Sequence, residues 1–360
     1  MRGPHNILRL IRTGATLERT GAMPVILNAL DAPRTLKFAA RFIVWPFQFL
    51  GRRGDQSLPP APRALTAMGP AYIKFGQILS TRPDVVGPEL AEQLRVLQDR
   101  LPPFSTDVAK QSFKSEIGLD ADDVFSDFSE PVAAASIAQV HRGELKDTGQ
   151  SVAIKVLRPE IERAFQKDLD TFYFAARLVE FVSPKSRRLK PMDVIAHFDG
   201  VVRGELDLRL ESASASEFLA NIKEDKGFSV PSVNWSLSSR RVMTLDWADG
   251  VPMGDVDALA AAGHNLSELG DRVLHMFLNH ALRDGFFHAD MHQGNLKVSS
   301  SGDIVAFDFG IMGHIDEYTR RVYAEILFGF IKRDYKRVAQ VHFEAGYVPQ
   351  DQDVDEFARA

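Results

Sequence analysis

The chain is 360 residues long, 45% hydrophobic and 25% charged, an ordinary balance that excludes disorder and leaves room for one large domain or two lobes. It contains no cysteine, which removes disulfides, thiolate nucleophiles and zinc–thiolate sites and is compatible with a reducing compartment. The net charge is −5, yet residues 1–54 hold nine Lys/Arg against two acids; a basic leader on an acidic body suggests an anionic partner surface, foremost a membrane leaflet, and not nucleic acid.

No run reaches the roughly 18–20 apolar residues that span a bilayer. The most apolar stretch, Phe38 to Leu50, is interrupted by Arg41 and Pro46 and lacks a small-residue cleavage site. With Trp45, Phe47 and Phe49 beside Arg52 and Arg53, it reads as a segment lying in a membrane interface or, equally, as an amphipathic helix packed on the body. Pro-rich Ser57 to Pro62 predicts a linker that closes a leader over residues 1–56. Apolar residues then recur at helical spacing from Leu65 to Ser80, predicting one helix on which Lys74 and Gln77 share a face. A second helix is expected to start near Pro88 and run through Leu97, within a helical extension over residues 57–123.

Near residue 124 the pattern turns strand-like. The small-residue run Val132-Ala133-Ala134-Ala135-Ser136-Ile137-Ala138 leads into a strand from Gln139 and Val140 to Leu145, then a turn at Lys146 to Gln150 and a second strand, Ser151 to Val156. This is the layout of a nucleotide-binding hairpin with its lysine strand, Val152-Ala153-Ile154-Lys155 matching the kinase V-A-I-K whose lysine contacts phosphates. Alanines and a serine stand where G-x-G-x-x-G is usual; small residues still admit close approach of the backbone, in a stiffer loop. Residues 132–140 are the candidate nucleotide loop. Helices are expected over Ile161 to Val182 and Met192 to Ile222. The second carries Glu205, Asp207 and Glu211, which do not all share a face. Glu211, close to Ala213 and Ala215, is the candidate partner of Lys155; the plain alternative is that all three acids are solvated. Strands at Phe228 to Val233 and Arg241 to Trp247 lead to the turn Asp249-Gly250, a candidate adenine hinge. It ends an N-lobe over residues 124–250 and begins a C-lobe over 251–360.

After a helical run from Val273 to Leu282 comes His288-Ala289-Asp290-Met291-His292-Gln293-Gly294-Asn295, and after a strand pair, Leu296 to Val298 and Ile304 to Phe307, comes Asp308-Phe309-Gly310. An aspartate five residues ahead of an asparagine, followed by D-F-G, is the catalytic-loop and metal-binding signature of protein kinases. Phosphoryl transfer needs a carboxylate to orient or deprotonate the attacking group, and Mg²⁺ takes hard oxygen ligands. Asp290 is the candidate base, with Asn295 and Asp308 as ligands for Mg²⁺ on ATP. Ala289 replaces the kinase arginine that meets an activation-loop phosphate, and His292 stands where kinases have lysine; both point away from protein phosphorylation. A last helix is expected from Glu317 to about Val341.

Several motifs converge on one family. Lys74-Phe75-Gly76-Gln77 resembles a KxGQ motif, Ala133-Ala134-Ala135-Ser136 an alanine-rich loop, and Glu205-Leu206-Asp207 an ExD motif. With the Asp290 loop and Asp308-Phe309-Gly310, residues 65–345 resemble the UbiB/ADCK atypical kinase family, whose members support ubiquinone biosynthesis. The resemblance implies an α+β, protein-kinase-like two-lobed fold with an N-terminal helical extension. It implies that Lys155 contacts ATP, that Glu211 pairs with it, and that Lys74 and Gln77 reach Glu205 and Asp207 as regulatory residues that shut out a protein substrate. A buried Lys74 beside those acids is also what electrostatics requires, because an unpaired buried ammonium is costly. Activity would be ATP hydrolysis or phosphorylation of something small or lipid-coupled. The implied partners are a lipid or quinone precursor and other quinone-biosynthesis proteins, and the implied location is the cytoplasmic face of the bacterial inner membrane. The alternative is a pseudokinase-like scaffold that binds nucleotide without turnover. The family loop commonly reads H-A-D-P-H-P-G-N, and here Met291 and Gln293 occupy the proline positions. Family members also carry apolar C-terminal segments that these 360 residues do not contain, so the chain is expected to be truncated.

Overall fold

Glycine and proline divide the N-terminal third of the chain into short helices. A computed structural model describes residues 5–29, 32–97, 103–182 and 190–359. These fall into two units, one of Met1–Gly149, Ile154–Asp207 and Ser239–Val242, the other of Gln150–Ala153, Leu208–Ser238 and Met243–Ala360.

The first unit opens with α1 (His5–Arg19), α2 (Ala22–Ala29) and α3 (Arg34–Val44), the last continued by a 3₁₀ turn over Trp45–Leu50. Ala15 and Thr16 of α1 are buried, whereas Phe38, Phe42, Trp45 and Phe49 are each more than two-thirds exposed. Those four rings face solvent, while other parts of the same stretch lie against α1: a Cβ at Gly14 would stand 3.1 Å from Val44 Cγ2, and Arg19 Nη1 donates to the Phe49 carbonyl at 3.4 Å.

Next come α4 (Pro60–Met68) and α5 (Pro70–Ser80). The predicted linker is therefore shorter than expected: Pro60, Ala61 and Pro62 form the first turn of α4, where a proline has no amide to lose. The single helix predicted from Leu65 to Ser80 is broken at Gly69, whose φ of 126° and ψ of −175° suit glycine alone, and Pro70 restarts it. Gly76 of α5 is a packing requirement: a Cβ there would stand 2.4 Å from Leu97 Cδ1 and 2.5 Å from Leu65 Cδ1. The short α6 (Pro83–Val86), α7 (Pro88–Leu94), α8 (Thr106–Ile117) and α9 (Ala121–Val124) lead into the sheet; α7 stops three residues before the expected Leu97.

The antiparallel strands β1 (Phe125–Ala134) and β2 (Ala138–Leu145) are followed by β3 (Ser151–Leu157). Then α10 (Ile161–Val182) and α11 (Pro191–Glu205) pack with α5 through Tyr72, Phe75, Phe172 and Phe198, whose ring centroids lie 4.7–5.8 Å apart. The helix predicted from Met192 to Ile222 is broken after Glu205. Leu206 leaves helical geometry with ψ of 9°, and Asp207 stands one residue ahead of α12 (Leu208–Asn221), a position aspartate favours because its side chain competes for backbone amides.

The second unit continues from α12 into β4 (Phe228–Ser229), β5 (Val242–Asp246) and β6 (Val251–Pro252). The predicted strand from Phe228 to Val233 shrinks to β4 and one isolated bridge, Val233 with Leu245, since Pro231 has no amide to pair. After α13 (Val256–Ala261) and α14 (Leu266–Asn279), a single π turn at His280–Asp284 delivers the chain to β7 (Phe286–His288). β8 (Leu296–Val298) and β9 (Ile304–Ala306) form the expected antiparallel pair within the sheet β4-β9-β8-β6, and β10 (Met312–His314) pairs with β7. The last predicted helix is two, α15 (Glu317–Lys332) and α16 (Tyr335–Glu344), because Arg333 turns left-handed at φ 58° and Asp334 caps α16 through the Arg337 amide. A short α17 (Val354–Phe357) follows. Among the described residues no helix is long and apolar enough to cross a membrane. The fold is thus mixed helix and sheet, with helices preceding the sheet as expected.

Candidate active site

The second unit assembles three predicted residues around one histidine. His288 ends β7 and is 3% exposed. Its Nδ1 accepts the Asp290 amide at 3.2 Å, and its Nε2 lies 2.5 Å from the Asp308 carbonyl oxygen. Those partners assign the tautomer, Nε2 donating and Nδ1 accepting. Burial holds the imidazole pKa below its ordinary value, against the opposing pull of the Asp308 carbonyl and nearby carboxylates, so the ring stays neutral and both bonds persist at neutral pH.

The intervening loop is fixed with equal economy. Asn295 Nδ2 donates to the Asp290 carbonyl at 3.0 Å, and the Asn295 amide donates to the His292 carbonyl at 2.9 Å. His292 accepts the Gly294 amide through Nδ1 at 3.0 Å, while its Nε2 lies 3.7 Å from Asp290 Oδ2. The β8–β9 register pairs Leu296 with Ala306, which sets Asn295 and Asp308 at the same end of the two strands. Asp308 Oδ1 accepts the Gly310 amide at 3.0 Å, and the Ala289 amide donates to Ile311. Phe309, 1% exposed, packs against His288 and against Phe218 of α12, the helix that carries Glu211 in its first turn. In the same unit Lys297 Nζ donates to Ala248 at 2.7 Å and lies over the Trp247 and Phe307 rings, tying the predicted hinge segment to β8.

The first unit holds the remaining predicted residues. Lys74 of α5 meets Glu205, the last residue of α11, at 2.6 Å, with side chains 16% and 12% exposed. Gln77 Nε2 donates to the Leu97 carbonyl at 2.9 Å. Asp207 lies two residues beyond Glu205 in the helix break. Lys155 sits mid-strand on β3. The loop from Val132 to Val140 includes the end of β1, with Ala133 and Ala134, a bend at Ala135 to Ile137, and the start of β2. The bend is closed by the Ala135 amide donating to Ala138 at 2.8 Å, and Ser136 is buried.

Arg158 supplies what sequence reasoning missed here. Its Nε and Nη2 reach the Ala135 carbonyl at 3.1 and 2.9 Å, and its amide donates to Ile137 at 2.8 Å. A residue three beyond Lys155 therefore pins the alanine loop from below. Gln139 is also structural: fully buried, its amide brackets the Phe104 backbone and contacts His141 Nε2 at 2.8 Å. His288 was visible in the sequence without a role, and its position immediately before Ala289-Asp290 was the available signal.

The chain matches a family model described as the ABC1 atypical kinase-like domain over residues 96–342. Proteins named probable protein kinase UbiB are similar to it. That of Marinobacter nauticus is 39% identical over 302 residues, covering 82% of this chain and 55% of that protein. That of Aeromonas salmonicida is 41% identical over 336 residues, covering 88% and 61%. The chain thus spans little more than half the length of the curated relatives it matches. A solved structure, the complex of Rv3197 with erythromycin from Mycobacterium tuberculosis, shares the fold at a TM-score of 0.57 and 24% identity, covering 81% of this chain and 74% of that one. With the family model matched over more than half its length, this chain belongs to the ABC1 atypical kinase-like family.

Proposed function

We propose that this chain is the ATP-dependent core of a UbiB-type atypical kinase or ATPase, acting on a small or lipid-borne molecule in support of ubiquinone biosynthesis. The observation that carries this reading is the double use of His288, which braces the Asp290 amide and the Asp308 carbonyl with one neutral ring. Asp290 would accept the proton of the attacking hydroxyl or water, its main chain held at the amide by His288 and at the carbonyl by Asn295. Lys155 would hold ATP phosphates, with Glu211 as its ion-pair partner, and the alanine loop pinned by Arg158 would lie along them.

The donor set suits Mg²⁺. Asp308 offers a carboxylate, and Asn295, whose Nδ2 is spent on Asp290, keeps its amide oxygen as a ligand. When bound, the metal neutralises charge on the phosphates. Ala289, in place of the arginine that anchors an activation-loop phosphate, supports a non-protein acceptor. Lys74 and Gln77, tied to Glu205 and Leu97, are assigned the regulatory role.

Attachment to the cytoplasmic face of the bacterial inner membrane is part of the same proposal, as is association with other quinone-biosynthesis proteins. Its support is the exposed face of Phe38, Phe42, Trp45 and Phe49 next to Arg34, Lys37 and Arg41, aromatic and basic groups suited to an anionic interface. The test is phosphate release from Mg-ATP with anionic vesicles, comparing wild type with Asp290→Asn. A fall of about 10²–10⁴-fold is expected for loss of a general base. Equal rates would reject turnover and leave a nucleotide-binding scaffold.

A further inference from the structure

Away from every residue assigned to nucleotide, the first unit contains a cavity of about 310 Å³ lined by cations from separate elements: Arg9 and Arg12 of α1, Arg52, and Lys167 of α10. Among the described residues Asp168 is the one acid in its wall, and Tyr72 of α5 closes one side, with its hydroxyl 3.0 Å from Thr13 Oγ1. Four positive groups are gathered around one cavity, Arg12, Arg52 and Lys167 exposed at its mouth and Arg9 half-buried, and one carboxyl offsets only part of their mutual repulsion.

The cations retain binding capacity. Arg9 spends Nη1 on the Lys167 carbonyl at 3.0 Å and Arg52 spends Nη1 on the Ala67 carbonyl at 2.5 Å, out of five N–H groups on each guanidinium. Arg12 and Lys167 make no side-chain hydrogen bond or ion pair among the described residues. Arginine forks pair in bidentate fashion with phosphate as they do with carboxylate, and a phosphate, with three strong acceptor oxygens, can engage more than one such fork at once.

We propose that this cavity is a binding site for a phosphate-bearing anion of small size, held by Arg9, Arg12, Arg52 and Lys167. Its volume lies at the lower end of the roughly 300–1,000 Å³ typical of small-molecule sites, enough for a diphosphate or a phosphate with a short polar body. Burial pushes the Asp168 pKa up to about 6 despite the opposing charges of Arg9, Arg52 and Lys167; a carboxyl tightly paired with those cations would shift the other way. Tyr72 lies two residues from Lys74 and five from Gln77 on the same helix, so an occupant would brace α1, α5 and α10 together and stabilise the helix that carries the KxGQ motif.

The anion could arrive free or on a lipid, and the test separates the two. The full chain is titrated calorimetrically with inorganic pyrophosphate and, separately, with soluble dihexanoyl phosphatidic acid, using wild type, Arg12→Gln/Lys167→Gln, Asp168→Asn and Lys155→Met. Neither Arg12 nor Lys167 uses its side chain to hold the fold, so the double variant is expected to fold, which its melting temperature checks. Binding weakened about tenfold or more in the double variant, consistent with lost charge-assisted hydrogen bonds, tightened in Asp168→Asn and unchanged in Lys155→Met supports the site. If pyrophosphate shows this pattern the anion is taken free; if only the phosphatidic acid does, it is lipid-borne. Equal affinity in wild type and the double variant, dependence on Lys155 instead, or no binding of either probe overturns the proposal.

Discussion

Lys74 and Glu205 are distant in sequence, on helices α5 and α11, and meet at 2.6 Å in a largely buried ion pair. Asp290, Asn295 and Asp308 are neighbours in sequence, held by main-chain hydrogen bonds and the register of a two-stranded pair. The first arrangement depends on the aromatic packing of α5, α10 and α11, the second on local geometry that a short stretch of chain can specify. A charge pair built by packing should be costly to break from one side, because the packing keeps the remaining carboxylate largely buried. A loop built from main-chain bonds should lose function before it loses stability.

The sharpest test of this contrast is Lys74→Ala. It leaves Glu205 in a site only 12% exposed and should cost about 3–5 kcal/mol of unfolding free energy, whereas Lys74→Met with Glu205→Leu should be near neutral. Urea denaturation measures both. A single-variant cost below about 1 kcal/mol would make the pair equivalent to a solvated surface bridge and erase the distinction.

The counterpart in the second unit is His288→Leu, which deletes both braces at similar volume. Phosphate release should fall about 100-fold at saturating ATP, the scale expected for a catalytic group displaced by an ångström or so. The stability loss should stay near 1–3 kcal/mol for the unpaired Asp290 amide and Asp308 carbonyl. Unchanged turnover would show that Asp290 is positioned without the histidine.

The smallest effect is in pH dependence. Burial lowers the pKa of His280 and His288, both in the second unit, below the ordinary 6.5. As pH falls below about 6.5 the unfolded chain takes protons first, so this unit loses stability down to the folded-state pKa values. In the first unit His141 is lowered likewise, but Asp168 is raised from 3.8 to about 6. The folded state therefore binds that proton first between about 6 and 3.8, which adds stability on acidification and offsets His141. Hydrogen exchange at pH 7 and pH 5 should show the larger loss of protection in the second unit, and Asp168→Asn should bring the first unit closer to it. Equal losses in wild type would break the comparison.

Spacing in the sequence was sufficient for the Asp290 loop, the Lys155 strand and the β8–β9 pair, since each is written in a short run of residues with a period or an interval that local geometry imposes. It did not reveal the breaks at Gly69, Leu206 and Arg333. The Gly69-Pro70 signal was legible, but helical periodicity continues across it; Leu206 and Arg333 are good helix formers whose departure comes from neighbouring packing and caps. The nearness of Lys74 to Glu205 came from a family resemblance and from the cost of a buried charge, not from any interval between them.

By itself, then, the sequence determined the chemistry on offer: which carboxylates, amide and ammonium groups stand at kinase-like intervals, and that the leader is basic and aromatic. Tertiary structure decided which groups are braced, paired or left facing a cavity, as with His288 on Asp308, Arg158 on Ala135, and the arginines around Asp168. Local patterns follow from backbone geometry over a few residues, whereas burial and long-range pairing depend on how distant segments pack, and that is set by the chain as a whole.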